Sequence, residues 1–204
     1  MAAVDRTQAR RERLIAAGLD LLGTDGSHAT TVRAVCARAK LTPRYFYESF
    51  DDLDSLLLAV FDEIGAELAQ AILEAVTPPP GDARASARAA IGAAVGVITG
   101  DPRKGRVLFA EGMGSEVLAR RRVKTLRAFA AMVAAQGRAF YGASDRTDPV
   151  VETTALMLVG GLAETLMAWL DGSLSVSRER LIDDCADLFA AAGEASVKLS
   201  LRRD

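Results

Sequence analysis

Apolar residues recur at intervals of three and four positions along most of this chain, the spacing of one face of an α-helix. Val32, Val35, Cys36 and Ala39, for example, lie at i, i+3, i+4 and i+7. The pattern predicts nine helices and no convincing strand. They cover residues 8–23, a segment from the Thr30-Thr31 cap to Ala39, and residues 43–49, 53–76, 82–99, 102–111, 115–141, 148–170 and 177–201.

Three of the predicted helices begin with a capping residue followed by proline: Thr42-Pro43, Asp101-Pro102 and Asp148-Pro149. A Thr or Asp oxygen accepts an unpaired backbone N–H, and proline at the first helical position gives up a donor that has no partner there. We therefore predict an all-α fold of about nine helices. Residues 1–52 are expected to form an amino-terminal three-helix domain, and residues 53–204 a carboxy-terminal helical bundle.

Composition agrees with this fold class, because half of the residues are apolar and only 5% are aromatic. Charge is distributed unevenly. Residues 1–50 carry eight Lys and Arg against five acidic residues, a net charge of +3, whereas residues 51–204 have a net charge of −5. A basic amino-terminal segment on an acidic body suits a local contact with a polyanion, although chance clustering alone is an equal alternative.

Other classes of protein find little support. Cys36 and Cys185 are far apart in sequence, so they predict neither a metal site nor a disulfide framework. His28 is the only histidine, and no catalytic set is predicted to converge on it. The most apolar segment, 155–170, is interrupted by Glu164 and falls short of the ~20 residues of a membrane span. We expect a cytoplasmic protein that is not an enzyme and has no cofactor or metal.

Residues 31–50 combine two short helices, a tight turn and outward-facing cationic and hydroxyl groups, as a helix-turn-helix that reads the DNA major groove requires. Arginine pairs with guanine, and tyrosine and a helix amino terminus bind phosphate. Tyr45 and Tyr47 cannot both lie on the buried face of so short a helix. At least one of them is therefore outward. We expect Val32, Val35, Cys36, Leu41, Phe46 and Phe50 to point inward, and Arg33, Arg38, Lys40, Arg44, Tyr45 and Tyr47 to face outward, with the Thr42 hydroxyl at the start of the second helix.

Residues 10–58 resemble the TetR (tetracycline-repressor) family of bacterial transcriptional regulators. The resemblance includes an Ala-rich first helix closing at Gly26, then Thr30-Thr31-Val32, Val35-Cys36-x-x-Ala39, Leu41-Thr42, Phe46-Tyr47-x-x-Phe50 and Leu56-Leu57. It implies a homodimer that binds a palindromic operator in double-stranded DNA and that a small-molecule effector releases. By resemblance, Thr31 and Tyr47 hold phosphates, whereas Thr42, Pro43, Arg44 and Tyr45 approach base edges.

Three positions depart from the family pattern. Lys40 replaces a glycine at the turn, where a left-handed backbone costs a non-glycine residue ~1–2 kcal/mol. Leu53 replaces a lysine that contacts phosphate in many members, and Asp51 and Asp52 place negative charge before it. Lys40 would supply the missing cation. These departures concern DNA affinity and register rather than the fold.

The resemblance also assigns roles in the body. Its last two helices are expected to pair with their mates in a dimer, through apolar residues at Val151, Leu158, Leu162, Leu166, Leu181, Cys185 and Leu188. An effector pocket would draw on Phe61, Phe109, Glu111, Met113, Phe129, Met132 and Trp169, for which ordinary core packing is the alternative. Glu111 and Glu164 are carboxylates among apolar residues and therefore require a partner or a ligand.

Three alternatives to an effector-controlled regulator remain at this stage. One is a helical carrier of small molecules without a DNA role, and another is a helical enzyme with a carboxylate site at Glu111 or Glu164. The third is a DNA-binding protein whose body is solid core. The basic runs at 103–106 and 120–124 do not require a second polyanion site, because Glu116 four residues before Arg120 is typical of a solvated helix face.

Overall fold

The structure is a computed structural model that describes residues 2–77, 81–111, 115–141, 149–200 and 202. All regular elements in this part of the chain are helical, so the predicted fold class is confirmed. Within these described ranges, nine α-helices follow one another, and a π-helix, Val107–Glu111, continues the sixth. The α-helices are α1 (Ala2–Thr24), α2 (Val32–Ala39), α3 (Pro43–Tyr47), α4 (Leu53–Ala75), α5 (Ala83–Gly100), α6 (Pro102–Arg106), α7 (Glu116–Tyr141), α8 (Pro149–Leu170) and α9 (Arg178–Ser200).

The chain divides into two compact units. The first consists of Met1–Glu67 and Val97–Arg122. It contains the three-helix amino-terminal domain, most of α4, and the helical segment from α6 to the π-helix, with α1 packed against α2, α6 and the π-helix. Its core is formed by fully or almost fully buried apolar side chains from each of these elements, among them Leu14, Leu22, Val35, Phe46, Leu56, Val60, Phe61, Ile98 and Val107.

The second unit consists of Leu68–Gly96 and Val123–Asp204. Small residues let two of its helices pack closely, since Ala130 and Ala134 of α7 form a buried cluster with Ala155 and Val159 of α8. Helix α8 also packs against α9. Ion pairs tie α5 to α9 and α7 to α8 at the surface of this unit: Arg84 with Asp187, Arg88 with Asp183, and Arg138 with Glu152.

The predicted helix boundaries agree with the structure to within two residues in most cases. Helix α1 is an exception, because it begins at Ala2 rather than near Gln8. Its first turns lack the apolar stripe that predicts a helix, but they contain good helix formers and carry local hydrogen bonds such as that from Gln8 to Glu12. The predicted helix 102–111 changes to i→i+5 hydrogen bonding at Val107, which no sequence period marks.

The predicted capping devices differ in outcome. Asp101 accepts a hydrogen bond from the backbone N–H of Arg103 at 3.1 Å, as predicted. Thr42 occupies the cap position of α3 but makes no side-chain capping bond, so that part of the prediction is wrong. Asp148 lies outside the described residues.

Helix α8 is the one described helix that is long and apolar enough, by length and composition, to cross a membrane. Its 22 residues exceed the apolar segment 155–170 considered in the sequence, so length alone does not exclude a span. This is weak evidence for a membrane segment, because the same helix buries Ala155, Val159, Ala163 and Leu166 within its unit. Core packing accounts for only part of its apolar character, because 17% of its most apolar 18-residue window is buried in the structure.

Candidate nucleic-acid interface

Thr31 caps the amino terminus of α2 and is exposed to solvent. This residue has an extended backbone, with φ −124° and ψ 157°, and its hydroxyl oxygen accepts a hydrogen bond from the backbone N–H of Ala34 at 3.1 Å. The bond uses the oxygen as acceptor, so the hydroxyl proton remains able to donate to a phosphate. Thr31 and Arg33 are both exposed at this end of the helix, which places a hydroxyl, a guanidinium and free backbone N–H groups together.

The turn between α2 and α3 adopts the left-handed geometry that the family resemblance implies. Lys40 has φ 53° and ψ 45°, and among the described residues it is the one non-glycine residue with positive φ. Its N–H donates to the carbonyl of Ala37 at 3.2 Å, while the N–H of Leu41 donates to that of Cys36 at 2.9 Å. These bonds close α2 and leave the ammonium group of Lys40 exposed beside the turn.

Helix α3 separates its side chains into a buried and an exposed set. Phe46 is completely buried and Phe50 almost so, and both rings pack together with centroids 5.8 Å apart. Tyr47 contacts the ring of Phe46 edge-on at 5.3 Å, yet 60% of the residue is exposed. Thr42, Pro43 and Arg44 are exposed as well, and the Arg44 side chain is 84% accessible. The predicted inward set is confirmed for Val35, Cys36, Phe46 and Phe50, while Val32 and Leu41 are half-buried.

Tyr45 is half-buried because a residue from α1 covers it. The guanidinium carbon of Arg10 lies 4.3 Å from the centroid of the Tyr45 ring. Arg10 also approaches Glu48, which pairs with Arg44 one helical turn earlier. Neither Arg10 nor Glu48 belongs to the site residues predicted from the sequence. The i, i+4 spacing of Arg44 and Glu48 was a detectable signal, whereas the contact from residue 10 to residue 45 has no local signature.

The acidic residues before α4 have a structural role. The Asp52 carboxylate accepts a hydrogen bond from the backbone N–H of Ser55 at 2.7 Å, and the Ser55 hydroxyl lies within hydrogen-bond distance of the Asp52 backbone. Asp52 therefore caps α4, where a negative charge is favoured by the helix dipole. Leu53 is half-buried at the first position of this helix. The start of α4 therefore carries a capping carboxylate at Asp52 followed by the apolar Leu53.

We expect Thr31→Ala to lower the free energy of unfolding by about 1 kcal/mol, because it leaves the Ala34 N–H at the start of α2 without its partner. Thr42→Ala is the matched control. Thr42 is likewise an exposed residue at a helix start but makes no capping bond, so its effect on unfolding should be within about 0.5 kcal/mol. Urea denaturation followed by circular dichroism measures both. Equal effects would argue against the capping role of Thr31.

The π-helix contacts the loop that precedes α2. One carboxylate oxygen of Glu111 accepts a hydrogen bond from the backbone N–H of Ser27 at 2.8 Å, and the other lies 3.5 Å from Nε of Arg106. Arg106 in turn donates to the carbonyl of Thr24 at the end of α1, at 2.7 Å. The Glu111 carboxylate was predicted to require a partner or a ligand. The structure supplies the partners from within the protein, and they connect the π-helix to the helix-turn-helix.

A second connection joins α1 to α6 through charged groups. Arg103 donates to Asp20 of α1 at 3.0 Å and to Asp101 at 2.7 Å and 2.9 Å. The hydrogen bonds from Arg103 hold the pKa of Asp101 below its usual value. Asp20 also pairs with Arg38 of α2. One carboxylate on α1 therefore contacts both the second helix of the helix-turn-helix and the helix that leads into the π-helix.

The remaining candidates for an effector pocket are divided between the two units. Phe61 is buried and Phe109 half-buried in the first unit. In the second, Phe129 packs against the α7–α8 cluster, Met132 is 45% exposed, and the Trp169 indole donates to the carbonyl of Val176 at 3.0 Å. Met113 lies outside the described residues. The Trp169 N–H is therefore already hydrogen-bonded within the connection between α8 and α9.

The residues predicted at a dimer interface fall into three groups. Leu166, Leu181 and Cys185 are buried within the second unit, so their side chains belong to its own core. Val151, Leu158 and Leu162 are half-buried, and Val151 packs against the α7–α8 cluster. Leu188 is 65% exposed. Leu156 and Met157 of α8 are also exposed, at 51% and 72%, and sequence analysis did not single them out.

The two cysteines and the acidic residues do not form a reactive site among the described residues. Burial raises the pKa of both the Cys36 and the Cys185 thiol, which keeps them protonated. No group of three His, Cys, Asp or Glu side chains is close enough to hold a metal ion in the described part of the chain. The chemistry that the structure concentrates at its surface is therefore that of the helix-turn-helix.

Comparison with known proteins agrees with this assignment. The model of the bacterial regulatory proteins of the tetR family matches residues 14–60, which span α1 to the middle of α4. Residues 14–60 therefore belong to the tetR family of bacterial regulatory proteins. No curated protein matches the chain.

Solved structures share the fold of this chain at low sequence identity. FadR from Bacillus subtilis, solved with stearoyl-CoA, is 15% identical, with 89% of this chain and 98% of that chain covered and a TM-score of 0.73. A TetR-family regulator from Syntrophomonas wolfei is 14% identical over 91% and 95% of the two chains, with a TM-score of 0.75. A regulator from Rhodococcus sp. Rha1 is 21% identical over 89% and 94%, with a TM-score of 0.65. At these identities the likeness concerns the fold alone.

Proposed function

We propose that this protein binds a palindromic DNA operator as a homodimer, represses transcription there, and is released by a small-molecule effector. The observation that carries the DNA-binding part is the exposed set on α2 and α3. Thr31, Arg33, Lys40, Thr42, Pro43, Arg44 and Tyr47 present hydroxyl, cationic and phenol groups on a rigid scaffold closed by Phe46 and Phe50. In this arrangement Thr31 and Tyr47 bind phosphates, and Arg44 approaches base edges from the start of α3.

A homodimer is supported by exposed apolar residues on the last two helices. Leu156, Met157 and Leu188 each expose more than half of their surface in one chain, and a partner that covers them would remove this apolar surface from water. A twofold partner that covers them would also supply the second reading helix of a palindrome, with half-sites about 34–36 Å apart. Of the residues predicted at this interface, Leu188 is exposed and Leu158 and Leu162 are half-buried, so these three remain candidates for it.

Effector control is supported by the contacts of the π-helix. Phe109 lies in this segment, two residues before Glu111, whose carboxylate accepts the Ser27 N–H in the loop before α2. A ligand that contacts Phe109 would thus act on a segment already joined to the helix-turn-helix. Stearoyl-CoA bound to Bacillus subtilis FadR is a precedent for a ligand of this fold. We propose an effector with a substantial apolar part that contacts Phe109, which is half-buried in the first unit.

Selection of bound fragments from a random pool of DNA duplexes, at physiological salt, tests the proposal directly. A palindromic sequence with two equal half-sites is the expected result. Enrichment of a single half-site would contradict the homodimer, and failure to enrich any sequence would contradict the DNA-binding function and favour a carrier of small molecules. Transcription from a reporter that carries the selected operator then decides between repression and activation.

Two substitutions on α3 separate reading from positioning. Arg44→Ala should relax preference at one base pair of each half-site and weaken binding to the selected operator by about 1–3 kcal/mol. Tyr47→Phe should weaken binding to every sequence alike, because it removes only a phosphate donor. Competition binding with single-base operator variants measures both effects. Arg180→Ala, which removes an exposed arginine paired with Asp184 in the second unit, is the control and should bind like the wild type. Unchanged operator binding in both α3 variants would contradict these contacts.

A further inference from the structure

Two arginines from different helices converge on one carboxylate at the exposed face of the helix-turn-helix. Nη1 of Arg10, in α1, lies 3.5 Å from Oε2 of Glu48, and Nε of Arg44, in α3, lies 3.0 Å from Oε1 of the same residue. Each carboxylate oxygen thus has its own guanidinium. The cluster carries two positive charges and one negative charge.

Arg10 is held in place independently of Glu48. Its Nε donates to the carbonyl of Arg6 at 3.1 Å, its Nη2 donates to the hydroxyl of Thr7 at 3.3 Å, and its guanidinium lies over the Tyr45 ring. The side chain is only 25% accessible, in contrast to 84% for Arg44. A group fixed in this way loses little conformational entropy when an anion binds to it.

The position of the carboxylate is the position that a phosphate would take. A phosphodiester has one negative charge shared by two oxygens, as a carboxylate does, and arginine binds both groups with the same planar geometry. Arg44 lies on α3 together with Tyr47, which is 60% exposed. The cluster therefore lies on the helix that is proposed to meet DNA.

We propose that Arg10 is a phosphate contact of the operator complex, and that Glu48 occupies its binding position in the free protein. This inference rests on the proposed DNA-binding function. When the protein meets DNA, a backbone phosphate replaces Glu48 at Arg10, and Arg44 turns from Glu48 towards the major groove. Glu48 therefore competes with DNA for both arginines, and α1 joins α2 and α3 in the interface.

Arg10→Ala and Glu48→Gln test this exchange by equilibrium binding to the selected operator and to an unrelated duplex, at several salt concentrations. Arg10→Ala should weaken binding to both duplexes about tenfold and lower the slope of log affinity against log salt by about 1. Glu48→Gln should tighten binding to both duplexes roughly two- to fivefold, since it removes a weak surface ion pair that competes with DNA. The gain from Glu48→Gln should be smaller when Arg10 is also alanine.

The controls keep the outcome interpretable. Arg10→Lys retains the charge and should keep most of the salt slope, and thermal unfolding shows whether each variant remains folded. If the wild type binds no DNA, the proposed function fails. If the wild type binds and Arg44→Ala weakens it, but Arg10→Ala leaves the affinity and salt slope unchanged, then Arg10 is not a phosphate contact. Unchanged or weaker binding by Glu48→Gln would overturn the competition by Glu48.

Discussion

Replacing Phe46 by alanine is expected to lower the free energy of unfolding by about 3–5 kcal/mol, the cost of deleting a fully buried phenylalanine side chain. Phe46 is completely buried in α3, where it contacts the rings of Tyr47 and Phe50. Because α3 has only five residues, it is too short to be helical without this packing. Loss of the side chain should therefore disorder the reading helix, and operator binding should be lost together with stability.

Tyr47→Phe is the matched control for Phe46→Ala. It keeps a ring against Phe46 and removes only an exposed hydroxyl, so the free energy of unfolding should change by less than about 0.5 kcal/mol. Guanidinium denaturation followed by circular dichroism gives both values, and DNA binding measured below the unfolding midpoint gives the functional effect. A Phe46→Ala protein within 1 kcal/mol of the wild type would show that the cavity collapses and that α3 does not depend on this ring.

The scaffold of the helix-turn-helix was predictable because its determinants are local. The i, i+3, i+4, i+7 stripe of α2 identifies Val35, Cys36 and Ala39 as buried, and all three are. The left-handed turn at Lys40 was implied by the family resemblance, in which a glycine occupies this position, and the structure has φ 53° there. In each case the physical requirement lies within one or two helical turns of sequence.

Contacts between distant residues were not predictable in the same way. Glu111 and Ser27 are 84 residues apart, and Arg10 and Glu48 are 38 apart. Nothing in the sequence near Glu111 indicates which backbone N–H it accepts, so chemistry alone predicts only that it has a partner. The π-helix was missed for another reason, because a single i→i+5 turn is too short to shift the period of apolar residues.

Predicted roles in the body depended on which face of each helix packs inside. Leu166, Leu181 and Cys185 belong to the apolar stripes of α8 and α9, as predicted, but these are the stripes that the second unit buries. Leu156 and Met157 lie outside them and are exposed. An apolar stripe in the sequence identifies one packed face of a helix. When a helix packs on two sides, the sequence does not say which apolar residues belong to which side.

A close approach of two helices gives the second large effect. An alanine Cβ at Gly23 of α1 would lie 2.4 Å from the Cβ of Arg103 and 2.9 Å from its Cα, distances that require the α6 backbone to move. Helix α6 is restrained from moving because Arg103 also donates to Asp20, one turn earlier on α1, at 3.0 Å. We expect Gly23→Ala to destabilise the protein by about 1–3 kcal/mol, the usual cost of overpacking a core.

Gly92→Ala in α5 is the matched control for Gly23→Ala, because an added Cβ there meets no atom within 4 Å. A helical glycine with open space around it should gain about 0.5–1 kcal/mol on replacement by alanine, which loses less backbone entropy on folding. The two glycine-to-alanine changes are thus expected to have opposite signs in the same urea titration. Stabilisation by both would mean that α6 can yield to α1 at little cost. The contact between Arg103 and Asp20 would then not hold α6 in place. Only the contact between Glu111 and Ser27 would still connect the segment from α6 to the π-helix with the helix-turn-helix.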